Sequence, residues 1–354
     1  MKIAIPKEVK PLEGRVALIP EACAQLVAHG NSVFVQSGAG LASGYEDAAY
    51  VQAGAQIQPD AASLYGAGEL IVKVKDPVPA EWPLLRRDHT LFSFLHLAPN
   101  PELADALCAS GATALAFETV LEGGQLPVLA PMSEIAGRIA IQVGAHLLHS
   151  PQGGRGLLLG GITGVPRGHV VVIGCGNVGL SAIRAAAGLG AQVTAFDLNR
   201  ERLAQAGALG ENVTPLYPYA QALASAAAEA DLLVGAVLVT GARAPHVIDE
   251  ATVQQMPKGS VIVDVAVDQG GCVATTEPRG YDDPVYEKHG VLHFSVTNMP
   301  GAVPRTASQG LSAVLLPYVS QLASERWREN PVLEKAVNVE GGRNRLAENW
   351  PVDG

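Results

Sequence analysis

The sequence is short of charge. Only 16% of its 354 residues are Asp, Glu, Lys or Arg, against about a quarter in an ordinary soluble chain. With 48% hydrophobic residues, this excludes a disordered chain, which needs low hydrophobicity and high charge. It also implies much surface hidden in domain or subunit contacts. Positive charge is the scarcer sign: 24 Lys and Arg against 34 Asp and Glu give a net charge of -10. That argues against nucleic acid or an anionic membrane as partner. It does not exclude an anionic substrate, because local charge at a site decides that. Cysteine is rare. Cys23, Cys108, Cys175 and Cys272 lie far apart with no CxxC pair, so neither a zinc site nor a redox dithiol is expected, and no metal is assigned. No apolar run approaches about 18 residues, the length needed to span a bilayer. The start, MKIAIPKEVK, has no apolar stretch of signal-peptide length. The expectation is a cytoplasmic protein with reduced thiols. Short repeats are missing too: 39 glycines and 24 prolines are dispersed, as suits many tight turns and not a linker.

What is present is alternation. A chain of this length suggests about two domains and can bury a core without staples. Short apolar runs at Lys2–Ile5, Ser32–Gln36, Leu70–Val74, Leu91–Leu95 and Thr113–Phe117 read as strands. Helical patterns lie between them, near Glu21–Ala28, Glu46–Ala53, Ala61–Tyr65 and Pro101–Ala109. Such alternation implies βαβ units and a parallel sheet covered on both faces. Met132–Leu148 reads as a long apolar helix with Ser133 at its N-cap and Glu134 in its first turn. Gln152–Gly168 is glycine-rich, either a flexible linker or a packed connector.

A second series follows, with strands at Val170–Ile173, Gln192–Phe196, Leu232–Ala236, Val261–Val265 and His293–Val296. Thr306–Leu322 is another long apolar helix, and the tail after Trp327 reads as polar and irregular. The two long helices bracket the second series. The expected organisation is therefore α/β with two doubly wound domains: a Rossmann domain at 129–300 inserted into a discontinuous domain made of 1–128 and 301–354.

The segment VVVIGCGNVGLSAIRAAAGLGAQVTAFD carries Gly174, Gly176 and Gly179 in GxGxxG spacing. A lone GxGxxG says little in a chain with 39 glycines. Here a strand precedes it, a helix and a second strand follow, and Asp197 closes that strand. Gly174 allows the tight turn, Gly176 lets backbone approach a pyrophosphate, and Gly179 lets helix and strand pack closely. Asn177 and Val178 complete the turn at the helix N-terminus, which offers N–H groups and a positive dipole to phosphate. Asp197 can accept hydrogen bonds from ribose hydroxyls and repel a 2′-phosphate, so NAD is favoured over NADP. Arg200 and Arg202 follow closely and blur that preference. Cys175, inside the turn, reads as a small buried side chain.

Ligands of parallel sheets bind outside the carboxyl ends of the strands. Lys75 follows ELIVKV, His96 follows LFSFL, and Arg15 lies in the loop after the first strand. Two fixed cations suit a small carboxylate, and a histidine beside them can shuttle protons near neutral pH. Lys73 and Lys75 share a face, so Lys73 competes for the role. In the second series Asp264 lies within a strand, while Asp268 sits at its carboxyl end, where a nicotinamide should lie. Asn298 and Met299, in the turn SVTNMPGAVPR, are plausible contacts on the nicotinamide side.

Together these blocks resemble the alanine dehydrogenase family, which is related to the nucleotide-binding subunit of proton-translocating transhydrogenase. The carriers are IPKE at 5–8 with Arg15-Val16-Ala17, VKVKDP at 72–77, FLHLA at 94–98, APMSE at 130–134 and QGGRG at 152–156. GCGNVG, GAVLVTGARAP at 235–245, VDVAVDQGG at 263–271 and NMPGAVPRT at 298–306 complete the set. The resemblance covers nearly the whole chain. It implies an NAD-dependent enzyme that oxidatively deaminates L-alanine to pyruvate and ammonium, reversibly. It casts Arg15 and Lys75 as substrate binders and His96 with Asp268 as the acid/base pair. Ser133, Asp197 and the segment Val237, Leu238, Val239 become cofactor contacts. It also implies a homohexamer, and the two-domain layout suggests a cleft that closes around cofactor and substrate. Leu12-Glu13-Gly14 and Ser308-Gln309-Gly310 depart from the family's pattern. Two other readings remain at this point: a dehydrogenase for a larger amino or imino acid of the opine or lysine type, and a transhydrogenase-like nucleotide-binding subunit.

Overall fold

The computed structural model describes residues 1–237, 246–324 and 326–346, with Asp268 and Gln269 described by backbone alone. The chain separates into two compact units, Met1–Met132 with Gly301–Gly354, and Ser133–Pro300. Each is an α/β unit built on a mostly parallel sheet.

The first unit begins with six parallel strands: β1 (Lys2–Ile5), β2 (Ser32–Gln36), β3 (Gln56–Gln58), β4 (Leu70–Val72), β5 (Thr90–Ser93) and β6 (Thr113–Ala116). β4 is buried at every residue, as expected of a central strand covered on both faces. The helices between strands start where the sequence supplies a cap. Asp60 accepts from Ser63 N at 2.7 Å ahead of Ala61–Ala67, and Asn100 accepts from Leu103 N at 3.3 Å ahead of Pro101–Ser110. Each cap satisfies a donor that the helix leaves unpaired.

The second unit holds β7 (His169–Ile173), β8 (Gln192–Phe196), β9 (Val213–Leu216), β10 (Leu232–Gly235), β11 (Val261–Asp264), β12 (Val285–Lys288) and β13 (Val291–Phe294). Their order is β12-β13-β11-β10-β7-β8-β9, with β12 antiparallel and the others parallel. Its core gathers valines and alanines of β7, β8, β10 and β11 against the helix Asn177–Gly188. The glycine-rich stretch before it is a packed connector: Arg155 N donates to Gly259 O at 3.1 Å, and Ile162 pairs with Val165.

The chain then returns to the first unit, adding β14 (Val337–Glu340) antiparallel to β6 and β15 (Arg343–Asn344) beyond it. The first sheet thus reads β15-β14-β6-β5-β4-β1-β2-β3. Two expectations are corrected here. The tail after Trp327 is not irregular: Val337–Val339 are buried and close one side of the sheet. The long helix runs Ala130–Leu147, so Ser133 lies within it and is not its N-cap. Pro131 is tolerated in the first turn, where its missing N–H has no partner to lose. Glu134 is instead exposed and pairs with Arg138 one turn on, at 2.7 Å.

Candidate active site

Strands β1, β4 and β5 are neighbours, and Arg15, Lys75 and His96 each follow one of them at the carboxyl edge of the first sheet. Arg15 is buried, with 2% of its surface exposed. Its Nε donates to Glu13 Oε1 at 2.7 Å and its Nη2 to Glu13 Oε2 at 2.5 Å, a two-toothed pairing, while Nη1 lies 3.3 Å from Met132 Sδ. The loop on either side of Arg15 is held by the helix Pro304–Leu322. Val16 N donates to Ser308 Oγ at 2.9 Å and Ile19 N to Ser312 Oγ at 3.1 Å. Ser308 also meets Ser43 Oγ at 2.8 Å, and Ser43 donates to Gly14 O. The atypical serine at 308 is therefore structural, because it fixes the arginine loop.

Burial raises the Glu13 pKa, but the Arg15 hydrogen bonds and charge outweigh it, with Lys75 adding to the same effect. The carboxyl is held below its ordinary value. Arg15 and Lys75 thus act on one carboxylate. Lys73 does not compete. It is fully buried, its Nζ donating to both Glu81 oxygens at 2.8 and 2.7 Å and lying 3.9 Å from Glu8. Lys75 is half-buried. Its position is set by Glu8, which accepts from Val74 N at 2.6 Å and Lys75 N at 3.4 Å. Burial pushes the Glu8 carboxyl up to about 7, against the pull of Lys73 and Val74 N–H.

His96 has a left-handed backbone, φ 47°, a conformation that costs a non-glycine residue about 1–3 kcal/mol and clusters at functional sites. Glu118, at the carboxyl end of β6, holds this turn. It accepts from His96 N at 2.6 Å and from Leu95 N, with His96 Nδ1 3.8 Å away. The ring stacks on Phe94 at 5.8 Å and keeps 52% of its side chain exposed. Glu118 is legible by the same rule as Lys75 and His96, since it closes TALAFE at a strand's carboxyl end. Glu8, Glu13 and Ser308 act through loops, and no local pattern announces their partners.

In the second unit the glycine turn is formed as its spacing requires. Gly174 has φ 97°. A Cβ on Gly179 would run into the Gly174 carbonyl oxygen, so only glycine permits this approach of helix to strand. Gly176 faces open space, with nothing within 4 Å of a Cβ built on it, and it is the N-cap of Asn177–Gly188 without a side-chain cap. Asn177 is exposed and Val178 half-buried. An open side and uncapped N–H groups fit a dinucleotide pyrophosphate. Asp197 is already oriented: Oδ2 accepts from Cys175 N at 2.6 Å and Oδ1 from Asn199 N at 2.7 Å. Burial and the Asp197 charge push the Cys175 thiol up to about 12, leaving it a packing residue.

Arg202 is exposed on the helix that Asn199 caps. Ser133 lies on the helix that packs against Asn177–Gly188. There Ser181 Oγ donates to Glu134 O at 2.7 Å, and a Cβ on Gly137 would collide with Val178 O. Val237 is half-buried after β10, while Leu238 and Val239 lie outside the described residues. Asn298 is left-handed, φ 57°, and Met299 is buried in the core. Asp268 lies on the short turn Val265–Gln269, and its side chain is outside the described residues. Asp264, buried at the end of β11, accepts from Ala266 N, Cys272 N, Val273 N and Thr276 Oγ1 at 2.8–3.1 Å. It is structural: it ties together both ends of the segment bearing Asp268.

Residues 4–136 match the family model "Alanine dehydrogenase/PNT, N-terminal domain", and residues 140–346 match "Alanine dehydrogenase/PNT, C-terminal domain". Curated alanine dehydrogenases from Bacillus subtilis and Methanococcus maripaludis are 49% and 45% identical. Each match covers 97% of this chain, with 92% and 94% of the relative. A solved L-alanine dehydrogenase superposes with a TM-score of 0.95 at 48% identity, covering 99% of both chains. The transhydrogenase structure from Sinorhizobium meliloti superposes at 0.83 with 28% identity, covering 97% of this chain and 98% of that one.

Proposed function

Because the chain belongs to the alanine dehydrogenase/PNT family, we propose that it catalyses the reversible oxidative deamination of L-alanine to pyruvate and ammonium with NAD. The observation that carries the reading is the cationic edge of the first sheet: Arg15, oriented by Glu13, beside Lys75, whose backbone Glu8 fixes. Similarity to the transhydrogenase, at 28% identity, is well below the 45–49% to the alanine dehydrogenases.

Arg15 and Lys75 bind the substrate carboxylate, and Lys75 polarises the carbonyl oxygen of pyruvate. A guanidinium held in one orientation before substrate arrives loses little freedom on binding. His96 moves the proton at the substrate oxygen and its attacking water. Glu118 holds the left-handed turn that presents the ring. Asp268 orients or deprotonates the amine. Gly174, Gly176, Asn177, Val178 and Gly179 cradle the pyrophosphate of NAD, Asp197 takes the ribose hydroxyls, and Ser133, Arg202, Val237, Leu238, Val239, Asn298 and Met299 complete the cofactor contacts. The hydride chemistry at the α-carbon would be supplied by bound NAD, so the chain itself supplies orientation and proton management.

Purified protein should reduce NAD with L-alanine and oxidise NADH with pyruvate and ammonium. His96→Ala should lower kcat by about 10²–10⁴-fold; near-normal turnover would remove His96 from the mechanism. Low charge and the exposed Leu158, Ile162 and Val165 of the connector support a homo-oligomer, which light scattering tests. No helix among the described residues is long and apolar enough to cross a membrane.

A further inference from the structure

Aromatic residues make up only 5% of this chain. Most are buried, yet two near neighbours in sequence face solvent. Tyr217 and Tyr219 are 47% and 70% exposed and are the aromatic side chains among the exposed large apolar residues described. They follow β9, the edge strand of the second sheet. Their rings sit 4.9 Å apart at 55°. Pro218 lies between them, and Tyr219 N donates back to Tyr217 O at 2.9 Å, which closes the turn. The pair is therefore presented by a fixed backbone.

The register of the sheet says what lies beside it. β9 is parallel to β8, and Phe196 pairs with Leu216. Asp197 and Tyr217 are the next residues beyond this last pair, so both leave the sheet at its carboxyl edge from neighbouring strands, which lie about 4.8 Å apart. Leu198, 73% exposed, and Leu216, 38% exposed, extend the apolar surface at the same edge. Asp197 takes the adenosine ribose in the NAD reading, so the base attached to that ribose leaves the carboxylate within reach of this surface. A planar heteroaromatic ring stacks favourably on tyrosine whatever its hydrogen-bonding edge.

We propose that Tyr217 and Tyr219 form the stacking platform for the adenine ring of the dinucleotide. The proposal rests on the NAD reading and adds residues that the glycine fingerprint does not reach. The platform acts on the adenosine half alone. It raises affinity for the whole dinucleotide and for ADP-ribose, and it leaves the nicotinamide half untouched.

The test is calorimetric binding of NADH, ADP-ribose and reduced nicotinamide mononucleotide to the full chain. Tyr219→Ala and Tyr217→Ala should each weaken ADP-ribose and NADH about tenfold, with the mononucleotide unchanged. Tyr219→Phe should retain wild-type affinity, because the ring and not the hydroxyl stacks. Both tyrosines are exposed, so unchanged circular dichroism and melting temperature are expected. Equal ADP-ribose affinity in wild type and the double alanine variant overturns the platform alone. A changed oligomeric state with unchanged ADP-ribose affinity also overturns it, assigning the patch to contacts between copies. Failure of the wild type to bind ADP-ribose at all overturns the dinucleotide reading, and the platform with it.

Discussion

Glu13 and Arg15 form a pair that neither could sustain alone. The guanidinium is 2% exposed, and an unpaired buried charge is costly, whereas a hydrogen-bonded pair is tolerated. Glu13→Gln keeps the shape and removes the counter-charge. It should destabilise the first unit by about 3–5 kcal/mol, read as a lower urea midpoint with unchanged slope. Because the Glu13 pKa is held below its ordinary value, its stabilisation is present above pH 4.5 and fades as pH falls through the folded pKa. The cost of the substitution should fade over the same range; a cost that persists in acid would mean that shape, not charge, holds Arg15. The two lysines of VKVKDP show why single residues are not legible without the fold. Alternation puts Lys73 and Lys75 on one face, and nothing local reveals that Lys73 is taken by Glu81 from the following loop.

The glycine turn is the element whose sequence and geometry agree most closely, and two of its residues should fail differently. A Cβ at Gly179 meets the Gly174 carbonyl. Gly179→Ala must push the helix off β7, a kind of overpacking that costs about 1–3 kcal/mol. A Cβ at Gly176 meets nothing within 4 Å, so Gly176→Ala should melt like wild type yet bind NADH at least tenfold more weakly, as the methyl enters the space meant for pyrophosphate. Thermal melts and NADH titration check the pair; equal melting temperatures for both variants would contradict the packing role. Strands are legible wherever the run is apolar, as at β1, β2 and β8, which match Lys2–Ile5, Ser32–Gln36 and Gln192–Phe196 residue for residue. The edge strands are not: β3 is QIQ and β9 is VTPL, too short or too polar to carry a period. β14 is hidden in the sequence because its burial comes from antiparallel pairing with β6, a contact more than two hundred residues away. The long helix is legible, but Ser133 pulls its expected start inward, although a proline at the second position is itself a helix-start signal.

At the scale of the whole molecule, two buried groups, one in each unit, respond to pH with opposite sign. Glu8, in the first unit, rises from an ordinary 4.5 to about 7 because burial disfavours its charge. Between those values the folded state binds a proton that the unfolded chain does not, so this contribution falls as pH rises from 4.5 to 7. His293, in the second unit, drops from 6.5 to about 4, again through burial. Its ring lies between Thr275 Oγ1 at 2.8 Å and Val291 O at 2.9 Å and stacks on Tyr286. The unfolded chain binds the proton here, so this contribution is lost as pH falls from 6.5 to 4. Each effect is roughly 3 kcal/mol and they carry opposite signs, so over about pH 4.5–6.5 these two contributions offset one another while acting on different sheets. Hydrogen exchange separates them, because it reports core amides of each unit individually. Relative to wild type, and after correction for the intrinsic pH dependence of exchange, Glu8→Gln should flatten the loss of protection in β4 and β5 above pH 4.5. His293→Gln should flatten the loss in β11 and β13 below pH 6.5. If either variant changed the pH slope in both sheets alike, the two titrations would not belong to separate units, and the opposed pH responses assigned to them would be wrong.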